Sequence, residues 1–210
     1  YKKNAYFDPG NYRGLHITSI LSKVAERMIA YALAPFFERN AYGANQWAYR
    51  RRCGSKDLLC YLQCSWILAI CQDQQIGAYL SDISGAFDRV LANFLLAKLR
   101  QLGIGDKIID FFQAYLQPRS AHVVVAGECS ESFEIGDMVF EGTVLGPLLW
   151  NVFFADVAVP ATANHEQEIL FADDLNIFKF FHRRASREIV ANELSSTRRR
   201  VHTWGKRNRI

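Results

Sequence analysis

The chain has 210 residues, of which 50% are hydrophobic and 22% are charged. This composition suits one large domain or two small ones with a buried core, and it excludes a disordered chain. No apolar run is long enough to cross a bilayer, and no signal peptide is recognisable at the start. The net charge is +4, but basic residues cluster at 50–56 and 183–209, which suits either a polyanionic partner or a solvated helix face.

Hydrophobic periodicity divides the chain into a mixed series of helices and hairpins. Because hairpins interrupt the helices, the order differs from the strict strand–helix alternation of a doubly wound sheet. We predict an α+β domain with an antiparallel sheet and helices on one face. In chain order the predicted elements are helices at 17–40 and 57–72, a buried strand at 77–83, helices at 89–102 and 106–115, a hairpin from 121–126 and 132–139, a helix at 145–157, a second hairpin from 168–172 and 175–180, and a basic helix at 183–206.

The five cysteines indicate a reduced protein. An odd number cannot close a set of disulfides, and no pair has the CxxC spacing of a zinc site. Cys60, Cys64 and Cys71 share a helical spacing, and we interpret them as small core residues. We therefore expect an intracellular protein, in the cytoplasm or the nucleus, without a membrane partner.

Asp82 stands at the end of the predicted buried strand. An isolated buried charge is costly, so this carboxylate must be paired, hydrogen-bonded or bound to a metal ion. Asp88 has a simpler interpretation, because it can cap the helix predicted to begin near Arg89.

Asp173 and Asp174 lie side by side between two apolar runs in "ILFADDLNIF". Alone, the pair predicts a hairpin turn, because Asp tolerates turn geometry. Adjacent carboxylates also repel each other, and Mg²⁺, which prefers oxygen ligands, would relieve that repulsion. If the strand of Asp82 lies beside this hairpin, three carboxylates meet at one end of a sheet. That set is sufficient for a two-metal phosphoryl-transfer site.

The stretch "EGTVLGPLLWN" contains two glycines, Gly142 and Gly146, followed by Pro147. The glycines allow close backbone approach, and the proline suits the first turn of a helix. The stretch is therefore either an ordinary loop-to-helix junction or a backbone surface against which a template base or a nucleotide packs.

Five stretches in order carry a resemblance to a known family. "LSDISGAFDRV", "GTVLGPLLWNVFFADV" and "LFADDLNIF" resemble the three palm motifs of reverse transcriptases, and most of all those of non-LTR (LINE-type) retrotransposons. "NYRGLHITSILSKVAERMI" and "QWAYRRRCGSKDLL" resemble two fingers segments that precede the palm. The resemblance implies a right-hand polymerase fold. Residues 1–75 would form part of the fingers with an amino-terminal arm, and residues 76–210 a palm with a ferredoxin-like antiparallel sheet and a basic C-terminal helix, with the thumb absent.

The resemblance also implies the role of individual residues. Asp82, Asp173 and Asp174 would be catalytic and would hold two Mg²⁺ ions, with Mn²⁺ as a substitute, and the main chain of Ile83 would lie near one ion. Phe87 would clash with a ribose 2′-OH and so select deoxynucleotides. The remaining implied contacts are Arg50 and Gly142 with the incoming nucleotide, and Arg51, Arg52, Lys56, Arg198, Arg199 and Lys206 with the template–primer backbone.

The implied function is RNA-directed DNA synthesis on an RNA template and a DNA primer, in which the primer 3′-OH attacks a dNTP and pyrophosphate leaves. Several departures accompany the resemblance, among them Gly85 and the "GLH" after Arg13. The family usually has Pro-Gln before the glycine of the second palm motif, where this chain has Phe140-Glu141, and the usual "YADD" is "FADD" here. The alternatives are a catalytically inactive, nucleic-acid-binding remnant of a retroelement and a non-enzymatic α+β interaction domain. The sequence does not indicate an oligomeric state.

Overall fold

The computed structural model of the chain describes residues 14–42, 45–136, 138–157 and 166–210. Its elements are helices interspersed with antiparallel strands, as the periodicity predicts. Two single 3₁₀ turns, Phe87–Arg89 and Ala155–Val157, add to them. In order the elements are α1 (Ile20–Asn40), α2 (Ser55–Cys71), β1 (Gln74–Ser81), α3 (Ala92–Gln101), α4 (Asp106–Tyr115), β2 (Arg119–Ala121), β3 (Val124–Val125), β4 (Glu128–Cys129), β5 (Phe133–Ile135), α5 (Gly146–Phe154), β6 (Glu166–Phe171), β7 (Asp174–His182) and α6 (Arg187–Asn208).

The central sheet has three antiparallel strands in the order β1-β7-β6. β6 and β7 form a hairpin in which Phe171 pairs with Asp174. β1 lies on the other side of β7 and pairs along its whole length, from Gln74 opposite His182 to Ser81 opposite Leu175. A single parallel bridge between Gln46 and Leu170 extends the β6 edge. The predicted antiparallel sheet is therefore present.

Helices cover both faces of this sheet, so the expectation of helices on one face is wrong. On one face, Leu58 and Leu62 of α2 pack against Ile169 and Phe178. On the other, the main core includes Leu175 and α3, α4 and α5. The reason is that β6 and β7 carry apolar side chains on both of their faces, and both must be removed from water.

Helix α5 is the centre of the main core. Every residue in it except Pro147 is buried, and Trp150, Phe153 and Phe154 are fully so. The aromatic rings pack on one another, with the centroids of Trp150 and Phe154 at 5.0 Å. A side chain of this size contributes about 1.5–3 kcal/mol when fully buried. α5 therefore holds a fixed position from which its polar atoms can orient neighbouring loops.

A glycine allows α6 to approach β1 closely. A Cβ atom at Gly77 would lie 2.9 Å from the ring of Phe181 and 3.1 Å from Val190 of α6. Because real Cβ atoms do not come so close, a larger residue at this position would push α6 away from the sheet. Ser186 caps the start of α6, its side chain accepting the N–H of Ile189.

The interpretation of the α2 cysteines as core residues is wrong. Cys60, Cys64 and Cys71 are exposed, although all five cysteines are free, as the sequence predicts. α2 buries the face that carries Leu58 and Leu62, and the cysteines lie on the opposite face. The helix is apolar on both sides, so its periodicity did not indicate which side faces the core.

Two further local expectations need correction. The hairpin predicted at 121–126 and 132–139 is instead two short pairs, β2 with β5 and β3 with β4. Asp88 does not cap a helix: α3 begins at Ala92, and its N-cap is Leu91, without a side-chain hydrogen bond.

Within the ranges given above, no helix has both the length and the apolar character that crossing a membrane would need.

Candidate active site

The sheet brings Asp82 and the Asp173–Asp174 pair to one edge. β1 ends at Ser81, whose partner on β7 is Leu175. One residue beyond this pair stand Asp82 on one chain segment and Asp174 on the other. Asp173 lies in the two-residue tip of the β6–β7 hairpin, after Ala172. The "FADD" stretch is thus a tight turn, and its carboxylates lie at the end of the sheet where β1 also ends.

The three carboxylates interact electrostatically. Partial burial raises the pKa of Asp174, and the negative charges of Asp173 and Asp82 raise the same pKa further. The charges of Asp173 and Asp82 therefore make it harder for Asp174 to ionise. A bound cation would relieve this repulsion.

The donor set suits a hard divalent cation. All three groups are carboxylates, the oxygen ligands that Mg²⁺ and Mn²⁺ prefer. In the part of the chain that the structure describes, no three acidic, His or Cys side chains are already arranged to hold an ion. The chemistry of the residues fits the ion, and their side chains would need to turn toward it.

Two buried side chains fix the backbone of the turn. Trp150 donates its indole N–H to the carbonyl of Ala172 at 2.9 Å, and the side-chain carbonyl of Gln46 accepts the N–H of Ala172 at 3.3 Å. Both side chains are almost completely buried. Sequence reasoning missed both residues. For Trp150 the signal was an indole N–H within an apolar stretch, since a buried indole N–H must find an acceptor.

Gln46 and a residue of α5 also hold the segment that carries Arg50. Gln46 also accepts the N–H of Ala48 at 3.0 Å, and Asn151 of α5 donates to the carbonyl of Ala48 at 2.9 Å. Arg50 donates a guanidinium N–H to the carbonyl of Gln46 at 3.1 Å. Arg50 and the aspartate turn are therefore linked through one buried residue, Gln46.

Phe87 is buried rather than displayed at the surface. Its ring packs on Trp150 with a centroid distance of 5.6 Å, and its carbonyl accepts the N–H of Val139 at 3.0 Å. Only 7% of the residue is exposed. Phe87 thus links the segment after Asp82 to the core, and its role in selecting deoxynucleotides stays a prediction.

The loop that carries Gly142 is held by the segment before α1. Gly142 has a φ of +88°, and a Cβ atom there would lie 2.9 Å from the carbonyl oxygen of His16. The N–H of His16 donates to the carbonyl of Glu141 at 3.1 Å, and the ring Nδ1 lies 3.0 Å from the same oxygen. Only glycine satisfies both the backbone conformation and the close approach.

The unusual Phe140 is a core residue. It is 1% exposed, its ring meets that of His16 edge-on at 5.5 Å, and the guanidinium of Arg119 lies 4.1 Å from its centroid. The surrounding residues therefore accommodate the phenylalanine that replaces the usual proline. This departure does not displace the loop from the core.

The basic residues predicted to contact phosphates are exposed. Arg200, a basic residue of α6 outside the predicted set, is only partly exposed, and it binds Glu166 at 2.6 Å. A cavity of about 350 Å³ beside Asp82 is lined in part by Arg89, Arg198 and His202. The exposed members of the predicted set are Arg51, Arg52, Lys56, Arg198, Arg199 and Lys206.

The architecture is that of a right-hand polymerase. The structure of apo telomerase from Candida tropicalis, truncated from the C-terminal domain, superposes with a TM-score of 0.56 at 9% identity, over 84% of this chain and 36% of that chain. Telomerase from the same organism in complex with a TWJ fragment of telomeric RNA gives a TM-score of 0.56 at 10% identity, over 83% of this chain and 30% of that chain. The predicted fold class is confirmed.

The chain belongs to the reverse transcriptase family. The family described as "Reverse transcriptase (RNA-dependent DNA polymerase)" matches residues 1–208. The RNA-directed DNA polymerase from mobile element jockey of Drosophila melanogaster is 31% identical over 80% of this chain and 19% of the relative. The probable RNA-directed DNA polymerase from transposon BS, of the same organism, is 30% identical over 80% and 19%. The predicted resemblance to non-LTR elements is confirmed, and the chain spans about a fifth of the length of these relatives.

Proposed function

We propose that the chain is the fingers–palm part of an RNA-directed DNA polymerase, which adds dNTPs to a primer 3′-OH and releases pyrophosphate. The observation that carries this proposal is the meeting of Asp82 with Asp173 and Asp174 at one sheet edge, where partial burial and the charges of Asp173 and Asp82 raise the pKa of Asp174. Membership of the family supports it. Residues 1–75 would serve as fingers and residues 76–210 as palm.

The three aspartates would hold the two divalent ions, Mg²⁺ or in its place Mn²⁺, with the main chain of Ile83 close by. When bound, such ions favour deprotonation of the attacking hydroxyl and stabilise the charge on the leaving phosphate. Arg50 would bind the triphosphate, because its planar fork fits phosphate oxygens. Its attachment to Gln46, which also holds Ala172, supports a fixed distance between the triphosphate and the aspartates.

The residues around the nucleotide would set selectivity and position. Phe87 would exclude a ribose 2′-OH, and Gly142 would present backbone to the nucleotide. Burial of Phe87 against Trp150 supports a rigid ring at that place. The partners would be an RNA template and a DNA primer, and the exposed basic residues would contact their phosphates.

The test is primer extension on an RNA template with dNTPs and Mg²⁺. The wild-type chain is expected to extend the primer, and Asp173→Asn to reduce extension at least about a thousandfold, because a metal ligand for the transition-state charge is lost. Asp110→Asn is the matched control. It removes one negative charge, as Asp173→Asn does, and Asp110 lies on the exposed side of α4.

Equal rates for the wild-type chain and Asp173→Asn would instead favour the inactive, nucleic-acid-binding remnant. In the other alternative, a non-enzymatic interaction domain, nothing would bring Asp82 close to the aspartate pair. The register of β1 with β7 and the effect of Asp82 on the pKa of Asp174 speak against that alternative.

A further inference from the structure

Glu26 is a buried acidic residue outside the candidate active site. It lies on α1 and is 3% exposed. A carboxylate so deeply buried must be satisfied by hydrogen bonds or charges, because leaving it unpaired is costly. Its hydrogen bonds show what it holds in place.

The carboxylate of Glu26 binds the backbone just before α5. Its Oε2 accepts the N–H of Val144 at 2.7 Å and the N–H of Leu145 at 3.0 Å. Leu145 is the N-cap of α5 and makes no side-chain capping bond of its own. Glu26 therefore serves as a cap from another helix, and its negative charge lies at the positive end of the α5 dipole.

Two hydroxyl groups orient this carboxylate. Tyr115 donates to Oε2 at 3.3 Å, and Ser22 donates to Oε1 at 3.3 Å. Burial raises the pKa of Tyr115 to about 12, and the charge of Glu26 contributes to the same shift. Tyr115 therefore stays protonated at neutral pH and remains a donor.

The loop is held at both of its ends by the same part of the chain. His16 binds the carbonyl of Glu141 and leaves space only for a glycine at position 142. Glu26 binds the two N–H groups at the other end of the loop. Residues 140–145 are thus fixed between two anchors that lie within one segment, 16–26.

We propose that Glu26 is a positioning residue for this loop: it fixes the backbone around Gly142 on which the incoming nucleotide packs. The inference deepens the proposed function and depends on it for the identity of the ligand. Tyr115 supports Glu26 by holding its carboxylate in the orientation that meets both N–H groups. Without the carboxylate, the half-buried N–H of Val144 and the buried N–H of Leu145 lose their acceptor and the loop loosens.

The first test is hydrogen exchange of the backbone. Glu26→Ala is expected to increase exchange at least about tenfold in peptides that cover residues 140–146, and Tyr115→Phe about threefold, because the variants lose two backbone acceptor bonds and one orienting bond respectively. Exchange in the β6–β7 hairpin is expected to stay unchanged. Glu188→Gln, an exposed change on α6, is the control.

The second test is steady-state primer extension by the same variants and by Glu26→Gln. The KM for dNTP is expected to rise about tenfold in Glu26→Ala, with kcat reduced less than about threefold, because the loop is misplaced while the aspartates are intact. Glu26→Gln keeps the shape of the side chain and one acceptor oxygen. Its KM for dNTP is therefore expected to stay close to the wild-type value.

Several outcomes would overturn the inference. One is increased exchange spread over the whole chain in Glu26→Gln and Tyr115→Phe alike, which would indicate general destabilisation. Another is an unchanged KM for dNTP in a well-folded Glu26→Ala, or in Tyr115→Phe if Glu26→Ala fails to fold. If the wild-type chain extends no primer, the proposed function fails. Hydrogen exchange then still decides whether Glu26 positions the loop, since exchange unchanged at 140–146 would refute it.

Discussion

At the scale of single residues, the aspartate turn depends on side chains far away in the sequence. Ala172 has a φ of +56°, a left-handed conformation that costs a residue with a Cβ atom about 1–2 kcal/mol. Trp150 and Gln46 bind both polar groups of its backbone. Because these two buried hydrogen bonds offset the strain, the turn can present Asp173 and Asp174 without a glycine. Strain of this kind is common where a backbone must hold functional groups in place.

A residue-scale prediction concerns Asp174. In EDTA at pH 7, Asp174→Asn is expected to raise the free energy of unfolding by a few tenths of a kcal/mol, up to about 0.5, because the neutral amide avoids the partial burial of a charge and the repulsion by Asp173 and Asp82. The gain is small since Asp174 is exposed and water screens the repulsion. Urea unfolding measures it.

The pH dependence follows from the raised pKa of Asp174. The folded chain binds the proton more tightly than the unfolded chain, so the destabilising charge is fully present above the folded pKa and vanishes below the ordinary value of 3.8. The wild-type chain and Asp174→Asn are thus expected to have the same free energy of unfolding in acid. Lower stability of Asp174→Asn at pH 7 in EDTA, with Asp110→Asn unchanged, would contradict the account.

At the scale of elements, buried ion pairs attach α6 to the sheet. Lys179 of β7 is 6% exposed and binds Glu166 of β6 at 2.6 Å and Glu193 of α6 at 3.0 Å. Arg200 of α6 binds the other oxygen of Glu166 at 2.6 Å. One basic residue of the helix is therefore directed inward, while its neighbours Arg198 and Arg199 remain exposed. The helix therefore has one face attached to the sheet and one exposed basic face.

An element-scale prediction concerns the acid stability that Glu166 confers. Burial raises the pKa of Glu166, but hydrogen bonds from Lys179 and Arg200 and their charges lower it more, so the net pKa is below its ordinary value of 4.5. A depressed carboxyl pKa stabilises the fold above the unfolded value, and this stability is lost as pH falls from about 4.5 through the folded pKa. Glu166→Gln is expected to cost about 3 kcal/mol at pH 7, because it leaves a buried lysine with one partner fewer.

Urea unfolding from pH 7 to pH 3 measures this prediction. The wild-type chain is expected to lose stability below about pH 4.5 more steeply than Glu166→Gln, so the two curves converge in acid. Glu193→Gln, which alters the more exposed partner of Lys179, is the comparison and is expected to cost less. Parallel curves for the wild-type chain and Glu166→Gln would show that Glu166 does not carry this stability.

At the scale of the whole molecule, the sequence predicted the sheet but not the bonds that orient its edge. β1 and the β6–β7 hairpin were predictable because apolar runs bounded by turn residues are a local signal. Glu26 and Gln46 gave no such signal, since they bind backbone groups 118 and 126 residues away. The exposed cysteines of α2 were mispredicted for a related reason. A helix that is apolar all round has two candidate core faces, and only the packed structure decides between them.

The last prediction concerns the distribution of charge over the whole surface. The six exposed basic residues predicted to contact phosphates lie in two clusters far apart in the sequence, one in 51–56 and one in α6. If each neutralises one phosphate of a duplex, the logarithm of the binding constant falls with the logarithm of salt concentration with a slope of about −5. The triple change of Arg198, Arg199 and Lys206 to Ala is expected to make this slope less steep by about 3, whatever the sequence of the template.

Fluorescence anisotropy of a labelled RNA–DNA duplex over a range of salt concentrations measures the slope. Arg183→Ala is the matched control, because Arg183 is exposed and basic but binds Asp73 at 2.8 Å and is outside the predicted set. It is expected to change the slope by less than about 1. A triple variant that keeps the wild-type slope would show that α6 does not face the nucleic acid. The phosphate contacts would then have to come from the cluster at 51–56 and from basic residues elsewhere on the surface.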